Sequence, residues 1–206
     1  MHEYRISPSP PHGEPLIAIG ASTGGTEAIL AVVQNLPADM PGIVVTQHMP
    51  AGFTEMYAER LNRLCQMEVR EAKNGDRLHR GLILIAPGDY QMRVVNIGGE
   101  YSVSCRKEAK VSGHCPSVNV LFDSVASSVG RSAIGVLLTG MGADGAAGLL
   151  RMRQSGAYTI GQDEASSVVY GMPMEAYKLG AVQQQAALRD IPDILLHHVA
   201  PYRAAR

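Results

Sequence analysis

The chain has 206 residues, 46% of them hydrophobic, which is the length of one domain with enough apolar side chain for a sizeable core. Eighteen Lys and Arg against nineteen Asp and Glu give a formal net charge of -1, so no global field draws in nucleic acid or an anionic membrane surface. Three cysteines without regular spacing or an apolar leader argue against a secreted disulfide framework and fit a reducing cytoplasm, and no apolar run approaches the ~20 residues a membrane-crossing helix needs.

Residues 1–15 hold Pro8, Pro10, Pro11 and Pro15 with Ser7, Ser9 and Gly13, a composition expected to form a disordered linker or tail. Residues 16–206 are expected to form one domain, in which short β-branched runs alternate with segments of helical apolar spacing, the pattern of an α/β fold. Strands are predicted at 16–19, 43–47, 82–86, 134–138 and 158–162, several apolar on both faces as in a covered, mostly parallel sheet. Ile29, Val32, Val33 and Leu36 form one helical stripe, and Phe53, Met56, Tyr57, Leu61, Leu64 and Cys65 form the next. A third helix should start at Pro116 or Ser117 and bury Val118, Leu121, Phe122, Val125 and Val129. Between these units, 90–96 and 101–105 alternate apolar and polar around Gly98 and Gly99, which predicts an inserted β-hairpin and suggests an antiparallel edge. A final helix is predicted at 191–199, with His197 and His198 at a C-terminus that favours positive charge, a surface pair rather than a metal site.

The most informative stretch runs Leu16-Ile-Ala-Ile-Gly20-Ala21-Ser22-Thr23-Gly24-Gly25, a strand entering a glycine-rich turn before a helix. One reading is a nucleotide-binding, Rossmann-like module whose loop cradles a phosphate, since Gly20 and Gly25 match the dinucleotide fingerprint. Against it, Ser22 fills the middle glycine position and the acidic residue about twenty positions on is missing. A second reading makes Ser22 a nucleophile on a tight turn. A third makes it only the cap of the helix that follows.

A serine hydroxyl does not ionise near neutrality, so the nucleophile reading requires a base. His48, in Thr46-Gln47-His48-Met49-Pro50 at the end of the next strand, is the candidate, because adjacent parallel strands bring such ends together. The orienting carboxylate would be Asp144 in Leu138-Thr139-Gly140-Met141-Gly142-Ala143-Asp144-Gly145, again a strand ending in a glycine-rich turn. Alternatively Asp144 forms a simple turn or caps the helix at 146–155.

Five segments, GASTGG, QHMP, GHCPSVNVLF, LLTGMGADGA and VYGMP, together resemble the catalytic domain of CheB-type protein-glutamate methylesterases, over residues 16 to about 199. The resemblance implies a doubly wound sheet with helices on both faces. It implies a Ser22, His48 and Asp144 triad, backbone amides near Thr23 and Met141 facing an oxyanion, and loop glycines Gly20, Gly24, Gly25, Gly140 and Gly142. The implied substrate is a glutamate γ-methyl ester on a chemotaxis receptor, with deamidation of glutamine as a second activity and no metal or organic cofactor. Two departures stand out: the family usually carries an N-terminal receiver domain, where only a proline-rich stub precedes Leu16, and Asn119 stands where aspartate is expected. Besides the nucleotide-binding module, the rival readings are a catalytically inactive receptor-docking domain and a metal site built from Cys105, His114 and Cys115, whose spacing is poor for one.

Overall fold

A computed structural model describes residues 15–203, so the predicted proline-rich tail, apart from a buried Pro15, lies outside the described residues. The chain runs β1 (Leu16–Ala21), α1 (Gly25–Val33), β2 (Ile43–Gln47), α2 (Phe53–Leu64), β3 (Glu68–Glu71), β4 (Leu82–Ile85), β5 (Gln91–Ile97), β6 (Glu100–Arg106), α3 (Val118–Ser128), β7 (Ala133–Leu137), α4 (Ala146–Gln154), β8 (Tyr158–Gln162), α5 (Met172–Lys178), β9 (Gln184–Ala186) and α6 (Ile191–Arg203). Seven strands form one sheet in the order β3-β4-β2-β1-β7-β8-β9, every neighbouring pair parallel. The chain leaves β1 on one side for β2 and returns on the other side as β7, which makes the C-terminal end of β1 a topological switch point.

Both faces of the sheet are covered, and the alternation of side chains along each strand sorts the core in two. Ile17, Ile19, Val45, Ile83 and Val136 pack with residues of α1, α2 and α6. Leu16, Ala18, Val44, Leu84 and Leu137 pack with residues of α3, α4, α5 and the β5-β6 hairpin. Burial on both faces is why these strands read as continuous apolar runs rather than alternating ones.

Three expectations require correction. The hairpin is not an edge of the sheet; it forms a separate two-stranded layer against α3, where Ser124 Oγ and Ser128 Oγ bond the backbone of Val94, and both sheet edges are parallel strands. The edge strands β3 and β9 escaped prediction because they are short and largely polar. In α2 the buried stripe is narrower than expected: Tyr57 and Leu61 are buried, whereas Phe53, Met56 and Leu64 are at least half exposed. Helix α6 continues to Arg203, so His197 and His198 are not at its C-terminus; His198 Nδ1 bonds the Ile194 carbonyl and its ring stacks on Tyr158. No helix of the described residues is long and apolar enough to cross a membrane.

Candidate functional site

The ends of β1, β2 and β7 bring Ser22, His48 and the loop carrying Asp144 to the switch point. Strand register pairs Ala21 with Gln47, so Ser22 and His48 follow as the next residues on adjacent strands. The Ser22 amide donates to the Thr139 carbonyl at 3.0 Å and the His48 amide to the Ala21 carbonyl at 3.2 Å. Buried Gln47 reinforces the pair, its Nε2 donating to the carbonyls of Ser22 (2.9 Å) and His48 (3.2 Å). Thr139 ties in the neighbouring loops: its hydroxyl donates to the Thr23 carbonyl and accepts from the Val169 amide, both at 2.9 Å.

Asp144 is 3% exposed and accepts four hydrogen bonds. His48 Nε2 donates to Oδ2 at 2.7 Å, the Val118 amide to Oδ2 at 2.7 Å, the Ser117 hydroxyl to Oδ1 at 2.8 Å, and the Asn119 amide to Oδ1 at 3.1 Å. The amides belong to the first turn of α3, so Asp144 satisfies orphan donors of a helix distant in sequence. It does not cap its own helix, because α4 starts from Gly145 at φ 91 without a side-chain cap. Nor does Ser22 cap α1, whose N-cap is Gly24 at φ 78, a left-handed conformation that glycine adopts readily. Both capping alternatives therefore fail.

Burial pushes the Asp144 carboxyl up, but the hydrogen bonds from His48, Ser117, Val118 and Asn119 outweigh it and hold the group below its ordinary value of 3.8. A carboxylate depressed in the native state adds stability that is complete above the unfolded value and is lost as pH falls through the native one. Urea midpoints measured while pH falls below 3.8 are expected to drop for the wild type and to drop less steeply for Asp144→Asn.

The imidazole of His48 is the hub. Its side chain is 8% exposed, Nε2 faces Asp144, and Nδ1 is buried without a hydrogen-bond partner. Ser22 Oγ makes no hydrogen bond among the described residues, so the relay expected from sequence is closed at its carboxylate end and open at its hydroxyl end. His114, which sequence reading considered only as a metal ligand, stacks on His48 with ring centroids 3.6 Å apart and planes 8° apart. No group of three His, Cys, Asp or Glu among the described residues could hold a metal ion.

The loop glycines have distinct reasons. A Cβ on Gly20 would lie 2.2 Å from Val118 Cγ1, so β1 needs glycine where α3 crosses it. On Gly25 it would meet Gln47 Oε1 at 2.1 Å. On Gly140 it would lie 2.8 Å from Ser22 Cβ, 3.1 Å from Ser22 N and 2.3 Å from Met172 Sδ. Gly140→Ala is expected to cost about 1–3 kcal/mol of stability, read as a fall in the urea midpoint, because the intruding methyl must displace Ser22 or Met172. Gly142 has φ 88 and open space around it, so only its conformation favours glycine. Thr23 and Met141 are exposed, and neither backbone amide donates a hydrogen bond among the described residues.

Ser117, Asn119, Gln47 and Thr139 were missed as supports of the site. Ser117 and Asn119 lay within GHCPSVNVLF, but nothing local says that this helix start faces a carboxylate from a later segment. Asn119 retains a role despite its departure from the family pattern: besides its amide, Oδ1 accepts from the Gly148 amide at 2.7 Å and Nδ2 donates to Ser112 Oγ at 3.2 Å.

A parallel, doubly wound sheet with hydroxyl, imidazole and carboxylate gathered at its switch point defines an α/β domain with one strand-end site. The sequence profile of CheB methylesterases matches residues 17–195, and the chain belongs to that family. A protein-glutamate methylesterase/protein-glutamine glutaminase 2 of Syntrophomonas wolfei is 62% identical over 180 residues, 87% of this chain and 53% of that protein. A like-named protein of Pseudomonas aeruginosa is 51% identical over 201 residues, 94% of this chain and 58% of that protein. The chain thus spans little more than half the length of these curated relatives. The CheB methylesterase catalytic domain of Thermotoga maritima matches with a TM-score of 0.87 at 33% identity, covering 90% of this chain and 98% of that one.

Proposed function

We propose that this chain is a serine esterase that hydrolyses glutamate γ-methyl esters on a protein, with Ser22 as nucleophile, His48 as general base and acid, and Asp144 as the orienting carboxylate. The observation that carries this reading is the 2.7 Å bond between His48 and a buried Asp144 beside the Ser22 turn. Relatives named protein-glutamate methylesterase/protein-glutamine glutaminase support the substrate class. Within this proposal, the protein substrate is a methylated chemotaxis receptor in the cytoplasm.

The geometry supports a definite tautomer. With Nε2–H donating to Asp144, the lone pair left for the serine proton is on Nδ1, the reverse of the assignment in the chymotrypsin template. The reading requires that rotation about the Ser22 Cα–Cβ bond, among staggered wells, bring the hydroxyl to that nitrogen. Oγ then attacks the ester carbonyl as its proton passes to Nδ1, and the oxyanion is held by the unengaged amides of Thr23 and Met141. The bond to the methoxy oxygen breaks as Nδ1 returns the proton, releasing methanol. Water, deprotonated by the same nitrogen, hydrolyses the acyl-enzyme and frees the carboxylate. For glutamine the leaving group is ammonia.

Methanol release from a methylated receptor, together with labelling of Ser22 by a fluorophosphonate, tests the reading. Intact wild-type protein that does neither would refute it.

A further inference from the structure

His114 lies outside the proposed triad, yet its ring lies flat on the ring of His48, with centroids 3.6 Å apart. It is held there from several sides. Val111 and His114 exchange backbone hydrogen bonds, each 2.9 Å, around Ser112 at φ 52 and Gly113 at φ 82. Fully buried Gln91 donates from Nε2 to the His114 carbonyl at 3.1 Å, while its Oε1 accepts from the Ser117 amide at 2.9 Å. One buried amide therefore ties the His114 loop to Ser117, which in turn donates to Asp144. His114 also lines two clefts, one of about 350 Å3 against His48 and one of about 410 Å3 against Asp144.

We propose that His114 is a positioning residue for the His48 imidazole, fixing the plane in which Nε2 meets Asp144 and Nδ1 is offered to Ser22. This rests on the esterase reading above. A single hydrogen bond at Nε2 fixes one point of the ring, and the Cβ–Cγ torsion of histidine is broad. A flat partner in van der Waals contact restricts the tilt that remains. The partner must also stay neutral, because His48 acquires a positive charge in each half of the reaction and a second cation on its face would oppose that. Burial, the adjacent His48 and Lys110 all hold His114 below the ordinary histidine value, against the pull of Asp144. Asp89 and Cys115 line the first cleft with His114, and Glu175 lines the second.

The test compares His114→Ala and His114→Phe with the wild type in methanol release, alongside NMR of the His48 ring protons. Alanine is expected to lower kcat by about 10–100-fold with KM little changed, as a small misplacement of a catalytic group does, and to remove the ring-current shielding at His48. Phenylalanine keeps a flat face and is expected to recover most of kcat. If the alanine variant does not fold, His114→Phe against His114→Leu decides, the flat ring being expected to keep kcat and the aliphatic side chain to lose it. Unchanged kcat in a folded His114→Ala, or a kcat for His114→Phe no higher than that for His114→Leu, overturns the proposal while leaving the esterase reading intact. A wild type that neither releases methanol nor reacts with a fluorophosphonate overturns the esterase reading itself, and this proposal with it.

Discussion

Ser22→Ala is expected to lower methyl ester hydrolysis on the order of a million-fold, the loss seen when the nucleophile of another serine triad is removed. The variant keeps its fold, because Ser22 Oγ makes no hydrogen bond among the described residues and the turn is held by backbone contacts to Thr139 and Gly25 and by the Gln47 side chain. Ligand-independent stability and full loss of methanol release should therefore appear together. A variant that releases methanol above a tenth of the wild-type rate would remove Ser22 from the reaction. Should the variant lose its fold as well, the turn depends on the hydroxyl, and Ser22→Cys, which conserves shape, separates stability from chemistry.

Asp144→Asn is the second large effect, expected at about ten-thousand-fold in kcat, as for the equivalent change in the chymotrypsin-type triad. The amide cannot accept four hydrogen bonds as the carboxylate does: its NH2 group would face the Val118 amide or the Ser117 hydroxyl, donor against donor. To avoid that, the side chain turns or the His48 ring adopts the other tautomer, with the proton on Nδ1, where the serine proton has to go. Stability should fall too, by about 1–3 kcal/mol, for a donor left buried without a partner. Turnover and urea midpoint measured on one preparation separate the two losses. Retention of wild-type kcat would show that His48 does not need the carboxylate. Ser117→Ala provides a graded control, since it removes one acceptor bond and leaves the His48 contact in place.

The parts of the fold set by side-chain periodicity were legible in the sequence. β2 and β8 coincide with their predicted spans, and β1, β4 and β7 differ by two residues or fewer, because strands buried on both faces carry an unmistakable apolar run. Helix α3 was legible for the same reason, with Val118, Leu121, Phe122 and Val125 buried as its stripe required. The failures fall where periodicity is silent, at the polar edge strands and the layer to which the hairpin belongs, or where the apolar stripe is wider than the surface that covers it, as on α2. The site divides likewise. Ser22, His48 and Asp144 each stood at a strand end with a turn signal, so three separate segments could be named. Their supports could not, since Gln91 is a buried polar residue in a hairpin and His114 an ordinary loop histidine until the fold sets each beside its partner.

By itself the sequence determined the α/β class, the strand-end turns and the three side chains that carry the proposed chemistry, because these depend on residue type and spacing within short windows. Only the tertiary structure decided which nitrogen of His48 meets Asp144, that the first turn of α3 supplies amides to a carboxylate 25 residues further on, and that His114 covers the imidazole. Hydrogen bonds and ring contacts act within about 4 Å, whereas the residues that make them are separated by tens of positions along the chain. Strand register and the packing of helices on both faces close that gap, and no local pattern encodes it.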